Sequence, residues 1–201
     1  GQPSYTIHEG VAWDCIRLTE EQLRAVGESE WDCFYFGTLA QRSEINRTTL
    51  MSLFDTVRAR HRFYDINLRQ KYYSRKMIDG SLERATIVKL NNDELDLVAE
   101  MFRLNGTGSP EEHMSRLVEQ FELETLIVTR GKEGVALLSG KELRHIPVEP
   151  VEVAAPEYWD IALQSMVEVV HGQRGTARAI GKDAPYIIKA GDVDQYSYFE
   201  G

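Results

Sequence analysis

The sequence predicts an α/β fold: a mostly parallel sheet in a three-layer α/β/α arrangement, closed by an antiparallel hairpin edge. Three observations predict it. Short apolar runs of strand length alternate with stretches of helical periodicity up to residue 129, the pattern of strand–helix–strand units. Beyond 129, two glycine turns around Gly131, Gly134 and Gly140 separate two further apolar runs, which reads as antiparallel return strands. Finally, 201 residues with 42% hydrophobic and 27% charged side chains have the balance of one ordinary globular domain, or of one domain plus an appendage.

Taken in order, residues 2–17 read as extended pieces. Thr19 is an N-cap for a helix over 20–26, because its hydroxyl can accept an amide proton left over in the first turn. The aromatic run Asp32-Cys33-Phe34-Tyr35-Phe36, ending at Gly37, predicts a short buried strand. Leu50, Leu53, Phe54 and Val57 mark one face of a helix over 46–60, and a strand follows at 63–68. A basic segment, 69–76, leads into a short helix at 77–83, then a strand at 86–90. Leu95, Val98, Met101 and Phe102 share a helical face that stops before Asn105-Gly106-Thr107-Gly108. Ser109-Pro110-Glu111-Glu112 places a cap, a proline and a glutamate where a helix start wants them, with Met114, Leu117, Val118 and Phe121 as the buried face. Strands at 125–129, 135–138 and 143–148 complete the sheet. Pro147, Pro150 and Pro156 then mark a change of character. The expected division is a core at 1–153 and an appended segment at 154–201. That segment has a helix face of Trp159, Ala162, Met166 and Val169, a glycine- and basic-rich run, and an acidic aromatic tail.

Composition excludes several classes. A formal charge of −9 argues against binding a nucleic-acid backbone, which wants a basic face. No apolar run approaches the ~20 residues of a membrane span, and no basic start leads into an apolar core as in a signal peptide. The expected compartment is the cytoplasm. Cys15 and Cys33 fit two reduced thiols better than a disulfide. The absence of C-x-x-C and H-E-x-x-H spacings leaves a zinc site without support.

The chemistry concentrates in two stretches. Phe63-Tyr64-Asp65-Ile66-Asn67-Leu68-Arg69 and Ile87-Val88-Lys89-Leu90-Asn91-Asn92-Asp93-Glu94 each run from apolar into polar residues. In an open parallel sheet, ligands sit at the carboxyl ends of strands, so both would aim into one crevice. Asp65, Asn67 and Arg69 alternate, which on a strand points all three the same way. They form either an internal Asp–Arg pair or a substrate contact with Arg69 as an anion clamp. Asn91 and Glu94 have capping-box spacing. They could equally hold a carboxylate near Mg²⁺ at a phosphate-attracting helix start. Thr129-Arg130-Gly131-Lys132-Glu133-Gly134 is an ordinary hairpin turn, or a glycine turn that lets backbone amides approach a nucleotide. It is not a Walker A loop.

Taken together, these residues resemble the PfkB (ribokinase-like) carbohydrate kinases, fructokinases most closely. The resemblance covers about residues 2–150. It runs in order through Tyr5-Thr6-Ile7 with Val11-Ala12-Trp13-Asp14, Phe36-Gly37-Thr38-Leu39, Asp65-x-Asn67-x-Arg69, Lys89-Leu90-Asn91 with Glu94, and Thr129 to Gly134. It implies transfer of the γ-phosphate of ATP to a sugar hydroxyl, with sugar and nucleotide as small-molecule partners. It places Arg69 at the acceptor and transferring phosphate, Asp65 and Asn67 on the substrate, and Asn91 and Glu94 around Mg²⁺ and phosphates. In that reading Glu94 meets the metal through water, and Thr129, Gly131 and Gly134 lie on the nucleotide side. The family's opening sugar-binding third has no counterpart here. Its Gly-Ala-Gly-Asp anion hole and base is echoed only by Lys189-Ala190-Gly191-Asp192, with Asp192 in the base position. The implied core is therefore truncated and its activity impaired. Residues of about 157–188 resemble instead a transpeptidase segment of class B penicillin-binding proteins, through Tyr158-Trp159-Asp160, His171-Gly172, Arg174-Gly175-Thr176 and Ala184-Pro185-Tyr186. No Ser-x-x-Lys accompanies them, so the acylating serine is missing. The junction suggests a fusion, a recombinant or a mis-assembled sequence. The alternative to a kinase is a non-catalytic module that forms a homo-oligomer through an exposed sheet edge.

Overall fold

Four strands run parallel in the order in which the chain makes them, and two more return antiparallel beside the last. The computed structural model describes residues 7–104 and 108–149, with Ile161 and Gln164. Every element below belongs to one compact unit, His8–Glu149. The sheet order is β1 (Glu30–Gly37), β2 (Arg58–Asp65), β3 (Ile87–Asn91), β4 (Thr125–Thr129), β5 (Val135–Ser139) and β6 (Glu142–Ile146). Pairing is parallel from β1 to β4 and antiparallel from β4 to β6. This is the mixed α/β sheet with a closing hairpin edge that the sequence predicts.

The helices are α1 (Glu20–Glu28), α2 (Glu44–Thr56), α3 (Arg75–Leu82), α4 (Asn92–Phe102) and α5 (Pro110–Phe121). Parallel strands laid down in sequence order, joined by crossovers of one hand, carry their connecting helices on one face. The core obeys this. Phe36, Tyr64, Val88, Leu90, Leu126, Val128, Ala136 and Leu138 project from alternate strand positions into one cluster with Phe54, Ile78, Leu82, Leu95, Val98, Met114 and Leu117 of the helices. The intervening strand residues, among them Tyr35, Phe63, Ile87 and Ile127, form the other face and are half-buried or exposed. The described residues thus supply the sheet and one helical layer. Of the appended segment expected at 154–201, with its helix and its transpeptidase-like stretch, all but Ile161 and Gln164 lies outside them.

Helix starts follow their caps. Thr19, Ser43, Ser74, Asn91 and Ser109 each accept a backbone N–H of the first turn. Gly27 of α1 lets that helix close on α2, since a Cβ there would lie 2.6 Å from Thr56 Cγ2.

Four local expectations change. The aromatic strand at 32–36 is not buried: β1 lies at the edge of the described sheet, and only Phe36 is fully enclosed. The second strand begins at Arg58 and ends at Asp65 rather than spanning 63–68, and the helix before it stops at Thr56. Arg58, Arg60 and Arg62 conceal this strand in the sequence, because they sit beside an edge and need no apolar face; Glu30 pairs in register with Arg58. Residues 12–14 form a short 3-10 turn, not extended chain. The last strand ends at Ile146, two residues early.

Candidate active site at the strand ends

The carboxyl ends of β1 to β4 bring Gly37, Asp65, Lys89, Asn91 and Thr129 onto one rim. Gly37 pairs with Asp65, Asp65 with Lys89, and Asn91 with Thr129. The Asp65 carboxylate accepts a hydrogen bond from the Tyr35 hydroxyl (2.9 Å) and two from Lys89 Nζ (3.1 and 3.4 Å). Partial burial, and then the Asp65 hydrogen bond, raise the Tyr35 hydroxyl above its usual range. The partner of Asp65 is therefore Lys89 on the neighbouring strand and not Arg69.

Asp65, Asn67 and Arg69 do not share a strand face. The strand stops at Asp65, and Asn67 takes a left-handed backbone conformation at φ 40°, as does Gln70 at φ 48°. Asparagine tolerates that region because its short polar side chain can satisfy the turn locally; glutamine does so less readily. Asn67 and Arg69 are exposed. The Arg69 guanidinium makes no ion pair among the described residues, so it is free to meet an anion.

Glu94 holds this loop to the sheet. It is buried, at 8% exposure, and its carboxylate accepts from Leu68 N (2.7 Å) and Asn91 N (2.9 Å). Asn91 Oδ1 accepts from Glu94 N (2.9 Å), completing the capping box that opens α4. Both carboxylate oxygens are thus committed to backbone amides. Among the described residues, no group of three or more His, Cys, Asp or Glu side chains is placed to hold a metal ion. The donor set does not fit a directly ligated Mg²⁺, and Glu94 could reach such an ion only through water.

A second fastening grips the same loop from outside. Arg42 forms a two-pronged ion pair with Asp14, both contacts 2.7 Å, with side chains only 5% and 9% exposed. Its guanidinium lies over Trp13 at 4.0 Å and Tyr72 at 4.8 Å, and the Tyr72 hydroxyl donates to Glu9 (2.7 Å). The hydrogen bond to Arg42 holds the Asp14 carboxyl below its ordinary range. Residues 9–14 are thereby tied to the loop that carries Arg69.

Beneath the rim, Thr38 and Tyr64 share a buried hydrogen bond of 2.6 Å. Gln41 Nε2 reaches the Gly37 carbonyl and Ser81 Oγ, both at 3.0 Å. Burial pushes the Tyr64 hydroxyl up to about 12.

On the far side, Thr129 Oγ1 points to the Leu90 carbonyl (3.4 Å). The turn closes through Arg130 N to the Gly134 carbonyl (2.8 Å). Gly131, at φ 54°, has open space where a side chain would be; at Gly134, φ 87°, a Cβ would collide with the Ile146 carbonyl. Gly134 therefore serves the hairpin, while Gly131 leaves backbone accessible. Arg130 pairs with Glu111 (3.1 Å), whose carboxyl is lowered first by its own backbone amide and then by Arg130. Asp192 lies outside the described residues. Sequence reasoning missed Tyr35, Lys89, Arg42 and the Thr38–Tyr64 pair as members of this site. Lys89 was open to discovery, because it shares a strand face with Asn91; the others depend on register and tertiary approach.

Comparison with known proteins follows the same outline. Residues 29–155, more than half of the chain, match the profile of the pfkB family carbohydrate kinases. A fructokinase of Salmonella thompson is 25% identical over 141 residues, which cover 67% of this chain and 60% of that one. A fructokinase of Salmonella typhimurium is equally similar, with 43% of its length covered. The chain thus spans about half the length of the curated relatives it matches. Among solved structures, an uncharacterized sugar kinase from Pyrococcus horikoshii in complex with ATP superposes with a TM-score of 0.54 at 16% identity, covering 84% of this chain and 52% of that one. A Vibrio cholerae fructokinase with fructose, ADP and calcium ion bound gives 0.51 at 18% identity, covering 76% and 52%. These likenesses show a shared fold.

Proposed function

We propose that this chain, which belongs to the pfkB family of carbohydrate kinases, carries the phosphate-handling side of a crevice for ATP-dependent phosphoryl transfer to a sugar hydroxyl, of fructokinase type. The observation that carries the reading is the rim itself: Asp65, Lys89, the Asn91–Glu94 box and Thr129 on adjacent parallel strand ends, with an unpaired Arg69 beside them. Phosphoryl transfer depends on positioning and electrostatic stabilisation more than on covalent chemistry. In this reading Arg69 meets the transferring phosphate and Asn67 the substrate. Gly131 offers backbone to the nucleotide next to Thr129. Glu94 fixes the loop, and no step is assigned to Mg²⁺; if the ion enters with the phosphates it keeps its own waters. The family's Gly-Ala-Gly-Asp is only echoed in this chain, by Lys189-Ala190-Gly191-Asp192 with lysine in the first position. Losing part of an anion hole costs the largest single catalytic contribution, so turnover is low. The cytoplasm, where ATP is available, suits such an activity.

A coupled ADP-release assay with MgATP and fructose or other hexoses tests this. Sugar-dependent ADP formation is expected, with Arg69→Ala lowering it by about 10²-fold. Equal rates with and without sugar would sink the kinase reading.

One observation favours a second reading. Trp31, on the edge strand β1, is 45% exposed, and an open edge is a template for strand pairing. A self-associating module predicts a dimer by light scattering that Trp31→Lys dissociates. A monomer at all concentrations removes it.

A further inference from the structure

Arg69 stands on a turn that is pinned at both ends, and the outer pin belongs to a distant part of the chain. We propose that Tyr72, clasped by Glu9 and Arg42, is a positioning residue for Arg69, and that anion binding at Arg69 is thereby coupled to residues 8–14. The role of Arg69 as a phosphate contact rests on the kinase reading above; the clasp rests on geometry.

The turn spans Arg69 to Tyr72, whose amide donates to the Arg69 carbonyl (3.1 Å). Within it Gln70 sits at φ 48°, a left-handed conformation that costs a side-chain-bearing residue energy unless its surroundings impose it. The inner pin is Leu68 N on Glu94 Oε1 (2.7 Å). The outer pin is Tyr72, whose hydroxyl donates to Glu9 (2.7 Å) and whose ring lies 4.8 Å from the Arg42 guanidinium. Arg42 is itself held by the Asp14 carboxylate, the His8 carbonyl and the Trp13 ring. With either pin gone, the turn is free to relax at Gln70, and Arg69 moves with it.

The arrangement suits positioning rather than ligand contact. Tyr72 and Arg42 spend their polar atoms on protein partners, while Arg69 is exposed and makes no ion pair among the described residues. An arginine side chain loses rotamer freedom when it grips an anion, so a backbone fixed beforehand keeps that loss from growing. The coupling must also run backwards. An anion that favours the pinned turn favours the clasp by the same factor, and steadies residues 8–14. Arg42 Nη1 is buried with no hydrogen-bond partner. That unsatisfied donor keeps the closed clasp short of its full stability, which leaves room for an anion to strengthen it.

Calorimetric titration of the full chain with MgATP, and separately with inorganic tripolyphosphate, tests the coupling. Arg69→Ala should weaken both by about tenfold or more, and Tyr72→Phe by several-fold. Because Tyr72 acts through Arg69, the double variant should bind no more weakly than Arg69→Ala alone. A merely structural Tyr72 would give additive losses. Glu9→Gln keeps an acceptor for the Tyr72 hydroxyl and should bind like wild type, whereas Glu9→Ala should match Tyr72→Phe. Arg144→Ala, on exposed β6, should change nothing. Heteronuclear spectra of each variant confirm that the fold is retained. In the reverse direction, saturating tripolyphosphate should slow hydrogen exchange at the Asp14 and Cys15 amides, which bond the Val11 and Ala12 carbonyls. Wild-type affinity in Tyr72→Phe, additive losses in the double variant, or exchange unaltered by bound tripolyphosphate would overturn the proposal. If Arg69→Ala still weakens MgATP in that case, the kinase reading stands without the clasp. Arg69→Ala that binds like wild type, or no binding of either probe, rejects both.

Discussion

At the scale of single residues, buried polar groups decide more than the exposed ones that first attract attention. Tyr64 is fully enclosed and its hydroxyl is pushed up to about 12, mainly by burial, with the Thr38 and Ser81 hydrogen bonds pulling the other way. Between the ordinary value of 10.0 and about 12, the unfolded chain loses this proton and the folded chain keeps it. Stability is therefore undiminished below pH 10 and falls as pH rises through that window, by about 2–3 kcal/mol in total. Urea unfolding of wild type and Tyr64→Phe at pH 8 and pH 11 checks it. The variant should be less stable by about 1 kcal/mol at pH 8, from the lost hydrogen bond. It should also lack this part of the alkaline decline. Asp14 behaves in the opposite sense. Its carboxyl titrates below the ordinary 3.8, so the Arg42 pair is intact at neutral pH and is lost only as pH falls through the lowered folded value.

At the scale of elements, the loop after β2 depends on two fastenings that approach it from different parts of the chain. One is Glu94, whose carboxylate accepts the Leu68 and Asn91 amides. Glu94→Ala strands both donors and should cost about 2–4 kcal/mol in chemical denaturation, while Glu94→Gln, which keeps one acceptor oxygen, should cost about half as much. The Asn91–Glu94 box was legible in the sequence, because a cap and its reciprocal glutamate are a local signal. So were α5 and β4, whose starts and periodicity need no partner. The strand direction of Asp65, Asn67 and Arg69 was not. Alternation predicts a shared face only while a strand continues, and the left-handed turn at Asn67 ends it. Nor was the exposure of β1 legible: its aromatic run resembles a core strand, and only the sheet order shows that it lies at an edge. The Asp65–Lys89 pair and the Arg42 fastening are 24 and 28 residues apart in sequence. No local pattern announces contacts of that range.

At the scale of the whole molecule, sequential parallel order puts the helices on one side and gathers the strand ends on one rim. One face of the sheet is a finished core, and the candidate site lies at the strand ends rather than on either face. Among the described residues, no helix is long and apolar enough to cross a membrane. The family was legible because its motifs keep their order along the chain. The pairings within the rim were not, since they need the register of three strands. The central claim is that this rim still receives a nucleotide's phosphates. Calorimetric titration of the full chain with MgATP tests it most directly. The account predicts saturable binding in the millimolar range, weakened by Arg69→Ala. No saturable heat up to about 10 mM nucleotide would contradict it.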